Sequence, residues 1–470
     1  MARKTVSEEE QYQIMTTSPI PKLVTSLSIP TVLSMLVTGL YNMADTFFVA
    51  QIGTSATGAV GVVFSIMALI QAIGFTVGMG TNSLNSRLLG AKRHEEADVN
   101  ISSGIFLAAV LGFLFAAAGL IWQERFLLLL GATDTILPFA MQYSFYILLG
   151  APVMSMTFVL NNCLRSEGKA ARAMIGTISG GVLNMLLDPV LIFAFDMGIA
   201  GAAVATLVSQ CVSMGILAGF FVRRQTIQTP RVRLISRKPW IYLNILKTGL
   251  PSLARQGLAS LSSAMLNNAA NAFGDPTIAA MSVVGRCAYM LLTVIIGLGQ
   301  GFQPVLGYNY GAKKYDRVRA TLRFTMLVGI VFMLVAGSLC FLFAPQVVEA
   351  FRKGDMQVIA IGTYALRAQC LTLPLQVLMI VNIALQVTGH PLSASINAME
   401  QRGLFLIPIL MILPRYIGLR GVQLAQPLSD LLFALATVPV LLSFLRELKR
   451  EERAQDRANL PAQLPAEEAK

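Results

Sequence analysis

The chain has 470 residues, of which 55% are hydrophobic and only 13% charged, with a formal net charge of +12 and a mean hydropathy of +0.66. Soluble domains carry about 25% charged residues, so this composition points to the bilayer. Basic excess in such a chain reflects positive loops on one membrane face rather than nucleic-acid binding. Five cysteines sit apart within apolar segments without zinc or disulfide spacing, and the two histidines, His94 and His390, lie in loop-like contexts. Histidine-based metal chemistry and a disulfide scaffold are therefore excluded.

The opening MARKTVSEEEQYQIMTTSPIPK is polar, and the apolar run after it is too long for a signal-peptide core, so no cleavable signal is expected. Twelve apolar segments follow, at roughly 22–52, 57–88, 98–122, 136–163, 171–195, 200–222, 242–273, 277–308, 318–343, 356–386, 393–414 and 420–445. Each is near or above the ~20 residues that span a hydrocarbon core. Lys and Arg concentrate in alternate connections: GAKRHEE, RSEGKAAR, RRQTIQTPRVRLISRKPW, GAKKYDRVRATLR and RELKREERAQDR. That set is expected to be cytoplasmic, with both termini inside, which requires an even number of spans.

The chain repeats itself at an offset of 221 residues. Pro30 meets Pro251, Gly53 meets Gly274, Gly78 and Gly80 meet Gly299 and Gly301, Gly90-Ala-Lys92 meets Gly311-Ala-Lys313, and Asn161 meets Asn382. One register held over about 140 residues implies duplication. The expected fold is all-α and integral to the membrane, with twelve transmembrane helices in two six-helix lobes related by a pseudo-twofold axis along the membrane normal. The expected divisions are a cytoplasmic segment 1–21, a lobe 22–222, a basic linker 223–241, a second lobe 242–445 and a charged tail 446–470. Two packed bundles of this kind place a binding site near mid-membrane and give alternating access by rocking.

Within the first apolar segment, TVLSMLVTGLYNMADTFFVAQIG contains one carboxylate, Asp45, fifteen residues beyond Pro30, or about 22 Å along a helix. A charge at depth costs about 2.5–3.5 kcal/mol or more, so Asp45 is expected to face the bundle interior; an acid at the outer helix end is the alternative. In the fifth segment, GGVLNMLLDPVLIFAF, Asn184 and Asp188 are four apart and share a face. Pro189 frees a carbonyl one turn back. Thr206, in GIAGAAVATLVSQ, could add a hydroxyl. Oxygen ligands of this kind suit hard cations; the plainer alternative is that Asp188 caps a kinked helix end and Thr206 bonds its own backbone.

The stretches YNMADTFFVAQIG, NMLLDP and GIAGAAVAT resemble the multidrug and toxic compound extrusion (MATE) family over residues 20 to 445. The later stretches LPSLARQGLASLSSAMLNNAANAFG and GLGQGFQPVLGYNYGAKKYDRVR look like its MepA-like branch. The resemblance implies export of cationic and amphiphilic drugs and dyes in exchange for H⁺ or Na⁺, with no cofactor. It implies a cation or proton site at Asp45, Asn184, Asp188 and Thr206, where Na⁺ could be held. Burial disfavours charge on such acids, so the pair can exchange a proton or cation and compete with a cationic substrate.

At the 221 offset Asp45, Asn184, Asp188 and Thr206 meet Leu266, Phe405, Ile409 and Pro427, so the second lobe lacks this site. It carries Arg255, Arg286 and Arg402 at depth, with Glu400 and Asp430 as acids that could pair with them. An ion-pair network and contact with an anionic part of a substrate both remain open. Tyr41 and Asn42, one turn from Asp45, are candidate cavity residues, as are Met35 and Met265, because methionine adapts to many shapes. Met43 and Met67 share that character, although lipid-facing packing explains any single methionine. No GKS or GKT follows a glycine-rich loop, so the chain encodes no ATP site, and isolated acids with two loop histidines exclude a membrane enzyme. The expected partners are small-molecule drugs or organic cations and the lipid bilayer, with no nucleic acid, for a monomeric multi-pass protein of a bacterial plasma (inner) membrane. A flippase or exporter of a lipid-linked or anionic metabolite on the same architecture is the alternative.

Overall fold

The computed structural model describes residues 8–351 and 354–459. Residues 1–7 of the expected N-terminal segment, 352–353 of one loop and 460–470 of the expected tail lie outside it. A short helix α1 (Glu8–Thr17) precedes the first lobe, which is built from α2 (Ile20–Ala50), α3 (Thr54–Gly90), α4 (His94–Ile121), the short α5 (Gln123–Leu129), α6 (Leu137–Ser166), α7 (Ala170–Pro189) and α8 (Gly198–Val222). The second lobe contains α9 (Pro239–Asn271), α10 (Asp275–Gly311), α11 (Tyr315–Leu342), the short α12 (Ala344–Phe351), α13 (Met356–Thr372), α14 (Met379–Thr388), α15 (Pro391–Met399), α16 (Leu406–Ile417) and α17 (Leu419–Asn459). Uninterrupted apolar sequence leaves the backbone no partner but itself in hydrocarbon, and only a helix satisfies every N–H and C=O within one segment.

Among the described residues eleven helical stretches are long and apolar enough to cross a membrane, with α13–α14 and α15–α16 each counted as one. The twelfth span is α9. It has 33 residues and packs against α3 and α15, but Lys247, Arg255, Gln256, Asn267 and Asn268 dilute its apolar character. Arg255 and Gln256, in the middle of the helix, are half-buried against its neighbours, whereas Lys247, Asn267 and Asn268 are exposed and lie nearer its two ends, where polar side chains can reach the membrane surface.

The 221-residue repeat is visible in the backbone. Shifted by that offset, α3 coincides with α10 and α4 with α11 at both ends. Lys92 and Lys313, equivalent by the same offset, both adopt left-handed φ, 58° and 57°. The lobes differ where the second is broken: α6 is continuous, whereas its counterpart passes through a 3-10 stretch, Leu373–Leu378, between α13 and α14. Likewise α7 runs through Pro189 into a π-helical turn, Val190–Ala194, while its counterpart has a π-helical stretch, Glu400–Phe405, between α15 and α16.

At the end bearing the basic loops the lobes meet backbone to backbone, in symmetric pairs. A Cβ on Gly80 of α3 would collide with the Ile245 carbonyl of α9, and one on its counterpart Gly301 of α10 with Ser28 of α2. A Cβ on Gly90 would strike the Tyr308 carbonyl, and one on Gly311 the Arg87 carbonyl. Only a residue without a side chain permits such approach. Hydrogen bonds cross the same seam: Ser28 Oγ donates to the Leu298 carbonyl at 3.3 Å, Gln303 Nε2 to Ser83 Oγ at 3.0 Å, and Arg165 Nη1 to Gln300 Oε1. Towards the other end the seam relaxes: Leu40, Met43 and Phe47 of α2 are exposed, and nothing lies within 4 Å of where a Cβ on Gly39 would stand.

The linker between lobes is pinned rather than loose. Glu167 accepts the backbone N–H groups of Ile227 and Gln228 at 2.9 and 2.8 Å and pairs with Lys169 at 2.6 Å. Burial pushes the Glu167 carboxyl above its ordinary value, opposed by Lys169 and the two backbone donors. Asp98 accepts the N–H and hydroxyl of Thr229 at 2.8 and 2.9 Å.

Gly80→Val is expected to push α3 from α9, since the obstacle is a backbone carbonyl and cannot rotate aside. Overpacking of this kind costs about 1–3 kcal/mol, readable as a lower melting temperature and a longer spin-label distance across the basic end. Gly39→Val, with open space before it, is expected to leave both unchanged.

Candidate functional site

α2, α6, α7 and α8 bring a cluster of oxygen atoms together inside the first lobe. Asp45 on α2 is 9% exposed, Asn184 and Asp188 on α7 are 3% and 0% exposed, and Thr206 on α8 is 6% exposed. The four-residue spacing on α7 places Asn184 directly over Asp188, and its Nδ2 donates to Asp188 Oδ1 at 3.2 Å. The same Nδ2 lies 3.4 Å from Thr206 Oγ1. Gly181, one turn before, presents no side chain, and the ring of Tyr41 packs over it, with Tyr41 Cδ1 3.0 Å from where a Cβ would stand. That contact seats α2 on α7.

Asp45 joins the cluster through Tyr143 of α6. Tyr143 is fully buried, and its hydroxyl donates to Asp45 Oδ2 at 3.2 Å. Thr206 interacts with the same hydroxyl, and Tyr143 also sits in the field of Asp188. Asp45 is near enough to Asp188 for its charge to act there. Tyr143 is thus the member that sequence reasoning missed. Its only advance signal was a phenol inside an apolar segment, which must find a polar partner when buried; nothing in LPFAMQYSFYILLG says on which helix.

Three oxygen atoms of this cluster are buried without a hydrogen-bond partner: Asp45 Oδ1, Asn184 Oδ1 and Asp188 Oδ2. An orphaned buried acceptor costs free energy, and a proton or a hard cation relieves that cost. The donor set, two carboxylates, an amide oxygen and a hydroxyl, is all oxygen and fits either.

The second lobe holds a carboxylate of opposite character. Asp430 on α17 is 0% exposed. Its Oδ2 accepts from Gln369 and Gln376 at 2.8 Å and Thr372 at 3.4 Å, and its Oδ1 from Gln426 at 2.9 Å and Gln401 at 3.4 Å. Its lone pairs are filled by neutral donors. Arg402 donates to Gln426 Oε1 at 2.9 Å, so it reaches Asp430 through one amide. Arg255 donates to Asn382 Oδ1 at 2.9 Å, Glu400 accepts from Asn397 at 3.2 Å, and Arg286 is exposed. Among the described residues no direct ion pair joins these three arginines to Glu400 or Asp430.

The remaining expected cavity residues spread out. Tyr41, Asn42 and Met35 are half-buried on α2. Met265 of α9 packs against Leu406, Leu410 and Ala425 inside the second lobe, away from the oxygen cluster. Met43 is 57% exposed and Met67 lies within the first lobe's core.

The profile described as MatE matches residues 30–190 and 251–399, a segment in each lobe. The chain belongs to the MatE family. It is 27% identical over 433 residues to a multidrug export protein MepA of Staphylococcus saprophyticus, covering 92% of this chain and 95% of that protein. A MepA of Staphylococcus aureus is 27% identical over 436 residues, with the same coverage. Among solved structures, an outward-facing multidrug resistance MATE family transporter of the MOP superfamily matches with a TM-score of 0.88 and 27% identity, over 95% of this chain and 100% of that one. A MOP superfamily transporter from Pyrococcus furiosus, described as having a binding pocket of reverse polarity that suggests a different function, matches with a TM-score of 0.88 and 28% identity over the same shares. The fold of MATE transporters, two six-helix lobes, is the fold of this chain.

Asp430→Ala should leave five donors facing a void, and each buried unsatisfied donor costs about 1–3 kcal/mol. A marked fall in melting temperature is expected, with Asp430→Asn intermediate because its amide oxygen still accepts. Equal stability of all three proteins would show that the cage contributes nothing to the lobe.

Proposed function

We propose that this protein is a secondary active multidrug efflux transporter that exports cationic and amphiphilic compounds in exchange for H⁺ or Na⁺. The observation that carries the reading is the trio of unpartnered buried oxygens on Asp45, Asn184 and Asp188, in a family of transporters rather than enzymes. Asp45 and Asp188 are the coupling acids, Asn184 and Thr206 complete the oxygen set, and Tyr143 links the two acids. When a proton or Na⁺ neutralises the set, Tyr143 and Asn184 keep its geometry while attraction for a cationic drug is lost. Ion and drug therefore compete, and whichever is bound biases the lobes towards a different arrangement. No catalytic residue and no cofactor enters this cycle; the ion is cargo.

In this reading the lobes are 22–222 and 242–445, joined by the linker 223–241. The basic loops, the segment 1–21 and the tail 446–470 face the cytoplasm of a bacterial cell, as the asymmetry of Lys and Arg supports. The glycine seam is then the cytoplasmic gate, and Tyr41, Asn42, Met35, Arg255 and Arg286 are the side chains we propose for the path between lobes. The protein works as a monomer, since each half of the pathway comes from a lobe of the same chain.

A second reading, export or flipping of a lipid-linked or anionic metabolite, draws on Arg255, Arg286 and Arg402. None of them is in an ion pair among the described residues, and an exposed arginine such as Arg286 suits an anionic cargo.

The test is ethidium efflux from proteoliposomes under an imposed proton or Na⁺ gradient. Gradient-driven efflux is expected for the natural protein. Asp45→Asn is expected to abolish it while the protein stays folded, and Tyr143→Phe to reduce it without abolishing it. The gradient that drives efflux names the ion. Equal efflux by Asp45→Asn would remove Asp45 from the coupling role, and no efflux by the folded natural protein under either gradient would favour the second reading.

A further inference from the structure

The face carrying the basic loops holds a cleft of about 870 Å³ between the end of α3, the start of α4, the linker, the start of α9 and the end of α10. Its cations are Arg87, Arg93, Arg233, Lys238 and Lys313, against the two carboxylates Glu95 and Glu96. Arg93 is taken up by Glu96. Among the described residues no ion pair engages Arg87, Arg233, Lys238 or Lys313, so the cleft keeps a surplus of positive charge with hydrogen-bond donors unspent. Its other wall is apolar: Leu84, Leu88, Val99, Leu234 and Ile241. Trp240, 56% exposed at the first turn of α9, stands at its edge, where an amphipathic ring marks the level of lipid headgroups.

We propose that this cleft binds the headgroup of an anionic phospholipid. Basic pockets between transmembrane helices at the membrane surface recognise such headgroups, because a phosphate meets cations while the chains lie along apolar side chains. A zwitterionic lipid brings a positive group for every phosphate, and among the described residues lining the cleft one acid outside an ion pair, Glu95, stands against four such cations. A free phosphate would leave the apolar wall and Trp240 unused. The cleft also belongs to neither lobe alone. α3 and α4 come from the first, α9 and α10 from the second, and beside it Gly90 meets Tyr308 while Gly311 meets Arg87. It exists only while the lobes are closed at this end. A lipid that binds only this arrangement stabilises it by mass action, so an anionic membrane holds the transporter in the state closed at its basic face. The inference goes beyond the efflux reading and stands whichever cargo is carried.

The test uses the purified full chain and measures retained lipid by native mass spectrometry together with the melting temperature. Phosphatidylglycerol is compared with phosphatidylcholine of the same chains, with inorganic phosphate and glycerol phosphate as soluble arms. Preferential retention of phosphatidylglycerol and a raised melting temperature are expected for the natural protein. The variant Arg233→Ala/Lys238→Ala alters two exposed linker side chains, and retention should weaken roughly fivefold per residue removed. Lys313→Gln provides a second variant on the opposite lobe. Arg223→Ala/Arg237→Ala removes the same charge outside the cleft and should bind as the natural protein does. Undiminished phosphatidylglycerol retention in both cleft variants would overturn the proposal. So would equal loss in the control, which would reduce the effect to general surface charge, or full competition by glycerol phosphate, which would make the site one for soluble phosphates. None of these outcomes depends on drug efflux, so a failure of the lipid site and a failure of the transport reading are separable.

Discussion

A buried oxygen inside a membrane has no water to turn to. This constraint organises the molecule, because in hydrocarbon each polar group finds a partner in the protein or remains costly. The second lobe meets the constraint by saturation: Asp430 receives five donors and both its oxygens are satisfied. The first lobe meets it only in part. Tyr143 serves one oxygen of Asp45, Asn184 serves one of Asp188, and three oxygens are left over. In the proposed cycle the first site binds and releases an ion, and a site with that task cannot be saturated by its own protein. The incompleteness of the first cluster is therefore its chemistry, and the completeness of the second is the reason to regard it as structural.

Duplication explains how two such different clusters occupy one scaffold. The repeat preserves what the backbone needs: the glycines of the lobe seam, the left-handed lysines after α3 and α10, and the prolines inside α2 and α9. It does not preserve side-chain chemistry at depth, where Asp45, Asn184 and Asp188 meet Leu266, Phe405 and Ile409. The seam is symmetric because equivalent glycines face equivalent backbone across it, Gly90 against Tyr308 and Gly311 against Arg87. The oxygen cluster has no counterpart across the axis and is free to exist once.

The sequence made the helices, the repeat and four of the five cluster residues legible, for identifiable reasons. Asn184 and Asp188 could be paired because helical periodicity is local, and Asp45 stood out because a carboxylate in an apolar run is rare. Tyr143 could not be placed, since its value depends on which helices touch, and that is set by packing between segments almost a hundred residues apart. The same limit accounts for the arginines of the second lobe. Carboxylates were the natural partners to expect, whereas the structure gives Arg255 an asparagine and Arg402 a glutamine. Amides are invisible to charge counting. Met265 illustrates the remaining ambiguity: nothing in its neighbours distinguishes a cavity wall from the core in which it packs with Leu406 and Leu410. α9 shows the converse. A strict hydropathy threshold omits it, although its apolar run at 242–273 and its equivalence to α2 under the repeat both identify it as a span.

The seam and the cluster share α2, and that gives a physical route between them. α2 carries Ser28 against Gly301 near the basic end and Asp45 about 25 Å further along, at 1.5 Å per residue. Pro30 lies between them inside the helix, and a proline there removes one backbone hydrogen bond and eases bending. Thr31 and Ser34 lie in the same turns and bond the carbonyls of Leu27 and Pro30, at 2.8 Å in both cases, a pattern that further softens a helix. The lower part of α2 is clamped by the second lobe and its upper part by Tyr41 on Gly181 and Tyr143 on Asp45. In the proposed cycle a change in the charge of the oxygen cluster thus acts on one arm of a helix whose other arm lies in the glycine seam, with the weakest backbone placed between them.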